Sequence, residues 1–315
     1  IVISCTLYFL VRHYYANLHL ISDTTFIVLF KPENVVTFLF LINPILLPAT
    51  ARMKTVKGRS LGGMFVFFYW LSLFYFQNSH HVGFLFLSVI FGIFTSITSL
   101  FSFQVILFFT PVLCVFEKSI VPLIVLITVL ATAVLIPFLG AREPLLFNFV
   151  HKIWYWRSYA KNTTAAVRSN FTNMILLPYH LIKKTGVFFI NIFRDLPPII
   201  YALGLPESII LVFFTITDSK HLSLFSSQPL LMYSWNLFLT SFVIFALVCF
   251  RRLSFVGQAE RYFEYSVAYL SLVFPAFIFY TFSYQNATLI LSILFMFRLT
   301  IIIANHIHSN RILLK

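Results

Sequence analysis

Only nine carboxylates occur in the 315 residues of this chain, and two of them stand four apart in one short stretch, GQAERYFEY at 257–265. Glu260 and Glu264 bracket Arg261, and Arg251 and Arg252 lie just upstream. Three guanidiniums can grip a phosphate bidentately, which lysine cannot do. Two carboxylates can hold a divalent cation or orient the arginines. Read as an α-helix starting near Ala259, the segment puts both glutamates on one face, where like charges cost a few tenths of a kcal/mol. A plainer use competes with these. Acids in a first helical turn favour its positive end and pair with Arg251, Arg252 or Arg261.

Two further ionisable groups lie inside apolar runs, Glu207 in LGLPESIILVFF and Arg298 in LFMFRLTIII. A charge near the centre of a bilayer costs at least about 2.5–3.5 kcal/mol, so each should face protein and find a partner. The two can pair with each other. Arg298 also stands only about six residues from the expected end of its span, within snorkelling reach. Glu207 follows Gly204 and Pro206, and an interrupted span is where broken helix ends meet a ligand.

Other polar residues say less. His80 and His81 occupy a short loop, and His306 and His308 flank an isoleucine; this spacing does not suit shared ligation on a helix, so no metal site is assigned. Asp23 and Glu33 fall in an outer loop. Cys5, Cys114 and Cys249 each sit in apolar runs and read as small buried hydrophobes. No P-loop, G-x-G-x-x-G or H-E-x-x-H occurs, and no Ser/His/Asp arrangement stands out.

The elements that position these groups follow from composition. The chain is 60% hydrophobic and 10% charged, against about 25% charged in soluble domains. It reads as an all-α, polytopic helix bundle in the membrane. A span needs roughly 20 apolar residues. Candidate spans are 1–11, 35–50, 61–76, 82–98, 103–117, 119–139, 196–217, 230–250, 265–282 and 287–304, nine to ten in all. The run 82–117 is too long for one helix, and its polar centre TSITSLFSFQ divides it in two. The chain opens inside an apolar run without an initiator methionine, so its first span reads as truncated.

Alternating these spans puts 17 of the 22 basic residues in 51–60, 142–195, 251–264 and 305–315. The other side collects Arg12, Lys31, Lys118 and Lys220, and Arg298 stays within a span. Basic loops are retained in the cytoplasm, so the net charge of +13 is topological and nucleic acid is excluded as a partner. Three regions result: N-terminal membrane helices at 1–141, a cytoplasmic interfacial segment at 142–195, and C-terminal membrane helices at 196–315. The interfacial segment opens with PLLFNFVHKIWYWRSYAK, where Trp154, Tyr155 and Trp156 beside Lys152 and Arg157 suit the headgroup boundary.

The E-R-Y-x-E-Y core from Glu260 to Tyr265, after a double arginine and before a span, resembles a pattern in multi-pass membrane proteins of bacterial surface-polysaccharide assembly. Some of these are fused or adjacent to cytoplasmic glycosyltransferase domains. The resemblance implies a membrane component of cell-envelope glycan assembly in the cytoplasmic membrane. It would act on or beside a polyprenyl-linked sugar, as a glycosyltransferase or polymerase or the membrane half of one. Arg251, Arg252 and Arg261 would then meet a lipid phosphate, with Glu260 and Glu264 organising a divalent cation or orienting the arginines. Two other readings stand beside it: a transporter or lipid flippase using Glu207 and Arg298, and a structural anchor for a catalytic domain.

Overall fold

The computed structural model describes residues 2–15, 32–41, 43, 58–136, 140–154, 157, 205–217, 225, 228–250, 253 and 259–313. Among them no strand occurs. The helices are α1 (Val2–Tyr15), α2 (Pro32–Leu41), α3 (Gly58–Ser79), α4 (Val82–Thr98), α5 (Leu100–Glu117), α6 (Val121–Leu135), α7 (Arg142–Trp154), α8 (Pro206–Thr217), α9 (Pro229–Val248), a 3-10 helix (Ala259–Tyr265), α10 (Val267–Thr281) and α11 (Tyr284–Leu313). Helices therefore form within all ten stretches expected to span. Three are long and apolar enough to cross a membrane: α5, α9 and the part of α11 from Gln285 to Ile303. Parts or all of α1, α4, α6 and α10 are apolar but shorter.

Local chemistry sets the boundaries. Proline opens α2, α8 and α9, where its missing N–H is no loss. The His81 side chain accepts from Gly83 N at 3.2 Å and so caps the start of α4. At Ser99 the backbone is extended, φ −154° and ψ 112°. Its N–H closes α4 on Thr95 O, and its hydroxyl accepts from Ser102 N to open α5. The expected division of 82–117 is thus made by one residue. Lys118 ends α5 in the left-handed region at φ 50°.

The chain forms two units. The first comprises residues 1–51, 202–235 and 267–315, and the second 52–201 and 236–266. In the first, α10 contacts α1, α2, α8 and α11, and its residues from Val267 to Ile278 are all buried. In the second, α3, α4, α5 and α6 pack on one another, α7 lies against α4 and α5, and the 3-10 helix touches α3.

Polarity is distributed as lipid requires. Phe86, Val115, Ile127, Leu135, Ile293 and Met296 are all more than half exposed, while Ser88, Ser96, Thr110, Thr240 and Ser241 are buried. Each of these buried hydroxyls bonds a carbonyl three or four residues back in its own helix. In a medium without water this satisfies them. Close approaches use glycine. A Cβ added at Gly62 would lie 2.5 Å from both Ser102 Oγ and Ser99 Cβ, and one at Gly92 would lie 2.6 Å from Val129.

Candidate functional site

The segment AERYFEY forms a 3-10 helix rather than the expected start of an α-helix. With three residues per turn, positions i and i+3 eclipse. Ala259, Tyr262 and Tyr265 therefore make one inward row, and all three are buried. Arg261 and Glu264 stand three apart in another row, and both are half-buried. The same register separates positions 260 and 264 by about 120°, so the expectation that Glu260 and Glu264 share a face is corrected. The side chain of Glu260, and Arg251 and Arg252 altogether, lie outside the described residues.

Two hydroxyls fasten this helix to the start of α5. Gln104 Nε2 donates to Tyr262 Oη, and Tyr265 Oη and Ser102 Oγ share a hydrogen bond of 2.9 Å. Burial pushes the Tyr262 phenol up, with the Gln104 bond opposing, so the group stays neutral. Phe101 lies 5.4 Å from the Tyr262 ring and 6.0 Å from the Tyr265 ring, centre to centre. Gly62 lets α3 approach the corner at Ser99 and Ser102, and the nearest atom to a Cβ at Gly63 would be in the Tyr265 ring, 3.9 Å away. The clustered Ser and Gln of TSITSLFSFQ thus do more than divide two helices: they hold the arginine-bearing segment.

Arg261 places its guanidinium carbon 6.0 Å from the centre of the Phe101 ring, at the outer limit of a cation–π contact. Lys152 of α7 comes near it. Burial, and then the Arg261 charge, push the Lys152 ammonium down to about 8. Asn148, one turn before Lys152 on α7, donates to Leu100 O at 3.2 Å and ties α7 to the first residue of α5. Lys152 was legible only as part of an interfacial helix. The signal that finds it is Asn148 and Lys152 four apart in an otherwise apolar stretch.

The first unit contains the other candidate pair. Arg298 Nη2 donates to Glu207 Oε1 in an ion pair, and Arg298 Nη1 donates to Leu39 O. The side chains are only 1% and 3% exposed. The geometry suits both ends: Glu207 sits in the first turn of α8, near its positive pole, and Arg298 caps the carbonyl end of α2. Leu205 is non-helical and α8 starts at Pro206; the earlier part of the expected span at 196–217 lies outside the described residues. Glu207 Oε2 and Arg298 Nε have no hydrogen-bond partner among the described residues. Arg298 stands five residues before Ile303, where the apolar part of α11 ends, but its guanidinium is buried on Glu207 and the Leu39 carbonyl rather than reaching outward.

No protein family, curated protein or solved structure matches the chain. A further contact escaped the sequence: Glu117, at the end of α5, accepts from Asn236 Nδ2 at 2.8 Å. Among the described residues no group of three or more His, Cys, Asp or Glu is placed to hold a metal.

Proposed function

We propose that this chain is a multi-pass component of the cytoplasmic membrane, with nine to ten spans and its basic loops in the cytoplasm, that takes part in cell-envelope glycan assembly. It handles a polyprenyl-linked sugar through the lipid phosphate, as a glycosyltransferase or polymerase or as the membrane half working with a cytoplasmic glycosyltransferase domain. The observation that carries this reading is the placement of Arg261 over the Phe101 ring, next to Leu100, to which Asn148 ties α7 one turn before Lys152. A phosphate carries charge opposite to that of Lys152 and Arg261, and the Phe101 ring beside Arg261 is a surface on which a sugar face can rest. Arg251 and Arg252 add cations on the same chain segment, and Glu264 orients Arg261. Removing the chain from its own cells tests the reading. Surface polysaccharide should disappear while a polyprenyl-linked sugar accumulates; unchanged glycan and precursor would overturn it.

A second reading, transport or lipid flipping, draws on the Glu207–Arg298 pair. It joins the ends of two short helices inside the first unit, and each partner keeps one polar atom unsatisfied among the described residues.

A further inference from the structure

The Glu207–Arg298 pair in the interior of the first unit uses only half of what each partner offers. A guanidinium presents two N–H donors along its Nε–Nη2 edge, in a fork that meets both oxygens of one carboxylate. Here Nη2 donates to Glu207 Oε1, while Nε donates to nothing and Oε2 accepts nothing among the described residues. Nη1 is engaged separately, on Leu39 O. The two side chains are 1% and 3% exposed, so bulk water does not reach the idle atoms.

A clasp made only for stability should look different. A buried charge pair offsets its lost hydration only when the remaining protons and lone pairs are bonded as well. Glu207 is tethered in the first turn of α8, and Arg298 reaches it from α11 while holding the end of α2. A carboxylate free of the chain has no such tether and can meet Nε and Nη2 together. Glu207 thus stands where a ligand's carboxylate would sit, and it grips the arginine edge less completely than the ligand would. Leu211, one turn on from Glu207 on the same face, is buried and apolar. One cation and this apolar face fit a monocarboxylate with an apolar body, since a second charge would meet no described partner.

Charge decides what accompanies the ligand. The pair is neutral, and neighbouring carboxylates in a place closed to water do not both stay ionised. Glu207 therefore takes a proton from water as the anion enters. Its bond to Nη2 breaks, the ligand's bonds to Nε and Nη2 form, and the cluster is neutral before and after. Oε2 has no hydrogen bond to lose, and as a hydroxyl it can donate to the ligand. Other ionisable groups stand farther off. On α8 there is no other, and α10, which packs on α8, brings only Tyr269 and Tyr280. Glu33 of α2 lies about 9 Å along the helix before Leu39; on α11, Tyr284 precedes Arg298 by about 21 Å, and His306, His308 and Arg311 follow it by about 12 Å or more. On α1, which packs on α2 and α10, the basic Arg12 and His13 fall in the last turn, and Cys5, Tyr8, Tyr14 and Tyr15 are its remaining titratable groups.

Deepening the transport reading of this pair, and resting on it, we infer that Arg298 is the binding site for a monocarboxylate that enters together with one proton on Glu207. The first unit is then a proton-coupled carrier of small carboxylates. The glycan reading uses other residues and is independent of it.

The test is isothermal titration of sodium butyrate into the full chain in detergent micelles, in two buffers of different ionisation heat. Saturable binding with about one proton taken up per butyrate is expected, and affinity should fall about tenfold from pH 6 to pH 7. Glu207→Gln copies the shape of the protonated side chain, so it should bind butyrate at least tenfold tighter at pH 7 and lose the pH dependence. Glu207→Leu/Arg298→Met leaves neither charge without its partner, so it should stay folded and not bind. Butyramide, which carries no charge, should compete at least tenfold more weakly. No saturable binding, binding without proton uptake, Glu207→Gln binding no tighter than the parent, equal binding by the folded double variant, or equal competition by butyramide would each overturn the inference. Butyrate that binds with its proton yet fails to enter proteoliposomes under an inward proton gradient would remove the transport reading and uphold the site.

Discussion

Breaking the Glu207–Arg298 pair from either side should have unequal costs, and the inequality depends on pH. Glu207→Leu leaves Arg298, itself 1% exposed, with the Leu39 carbonyl as its one acceptor among the described residues. A guanidinium cannot shed its proton, so the charge stays buried, at a cost of about 3–5 kcal/mol. Arg298→Met leaves a carboxylate that can take up a proton instead. Against a reference pKa of about 4.3, keeping that proton at pH 7 costs at most about 3.7 kcal/mol, or about 1.4 kcal/mol for each pH unit. The penalty therefore shrinks as pH falls toward 5, because the folded variant binds a proton that the unfolded chain does not. Glu207→Leu should show no such recovery. The double variant Glu207→Leu/Arg298→Met loses both charges and strands only the Leu39 carbonyl, a loss of about 1–3 kcal/mol. Equilibrium unfolding in mixed detergent micelles at pH 5 and pH 7 would measure all three. The expected coupling is at least about 2 kcal/mol. Single losses that add up to the double loss at both pH values would refute the reasoning.

Glycine and tyrosine test how the 3-10 segment is held. Gly62→Ala should destabilise by about 1–3 kcal/mol, because its Cβ would lie 2.5 Å from two atoms, whereas Gly63→Ala, with nothing nearer than 3.9 Å, should be neutral or stabilising on the same unfolding measurement. Tyr262→Phe removes the acceptor of Gln104, which is 2% exposed, and should cost about 1–3 kcal/mol; a loss below about 0.5 kcal/mol would mean the bond contributes nothing. Lys152 loses its proton near pH 8 in the folded protein and near 10.4 unfolded, so stability should rise with pH across that window. Lys152→Met should accordingly be more stable than the parent at pH 7, by up to about 3 kcal/mol, with the advantage gone near pH 10. Arg261 is a charged neighbour that acts on it; α4 carries no ionisable group, and Cys114 and Glu117 of α5 lie at the far end of that helix from Leu100.

Much of this architecture was readable because lipid imposes simple demands. An apolar run must be helical, so the helices arose where expected, and Ser99 divides 82–117 as its polar surroundings suggested. The Glu207–Arg298 pair was legible for the same reason, since a buried charge must find its opposite. Leu39 O was not, because it accepts only by virtue of where α2 ends, and no residue type announces a free carbonyl. Periodicity likewise could not separate seven residues of 3-10 helix from the first turns of an α-helix, so the register relating 260, 261 and 264 came from the structure. Lys152 and Asn148 were hidden by a helix whose polar face points inward, the reverse of the usual amphipathic pattern. The bond between Glu117 and Asn236 joins residues 119 positions apart and left no local trace.

The central claim is that function depends on the cations at α7 and the 3-10 helix rather than on the ion pair in the first unit. Surface-glycan output separates them, measured in cells carrying either Lys152→Gln/Arg261→Gln or Glu207→Leu/Arg298→Met at matched abundance in the membrane. The account predicts that the first variant makes no glycan and the second still does. Normal glycan from the first, with loss in the second, would contradict it.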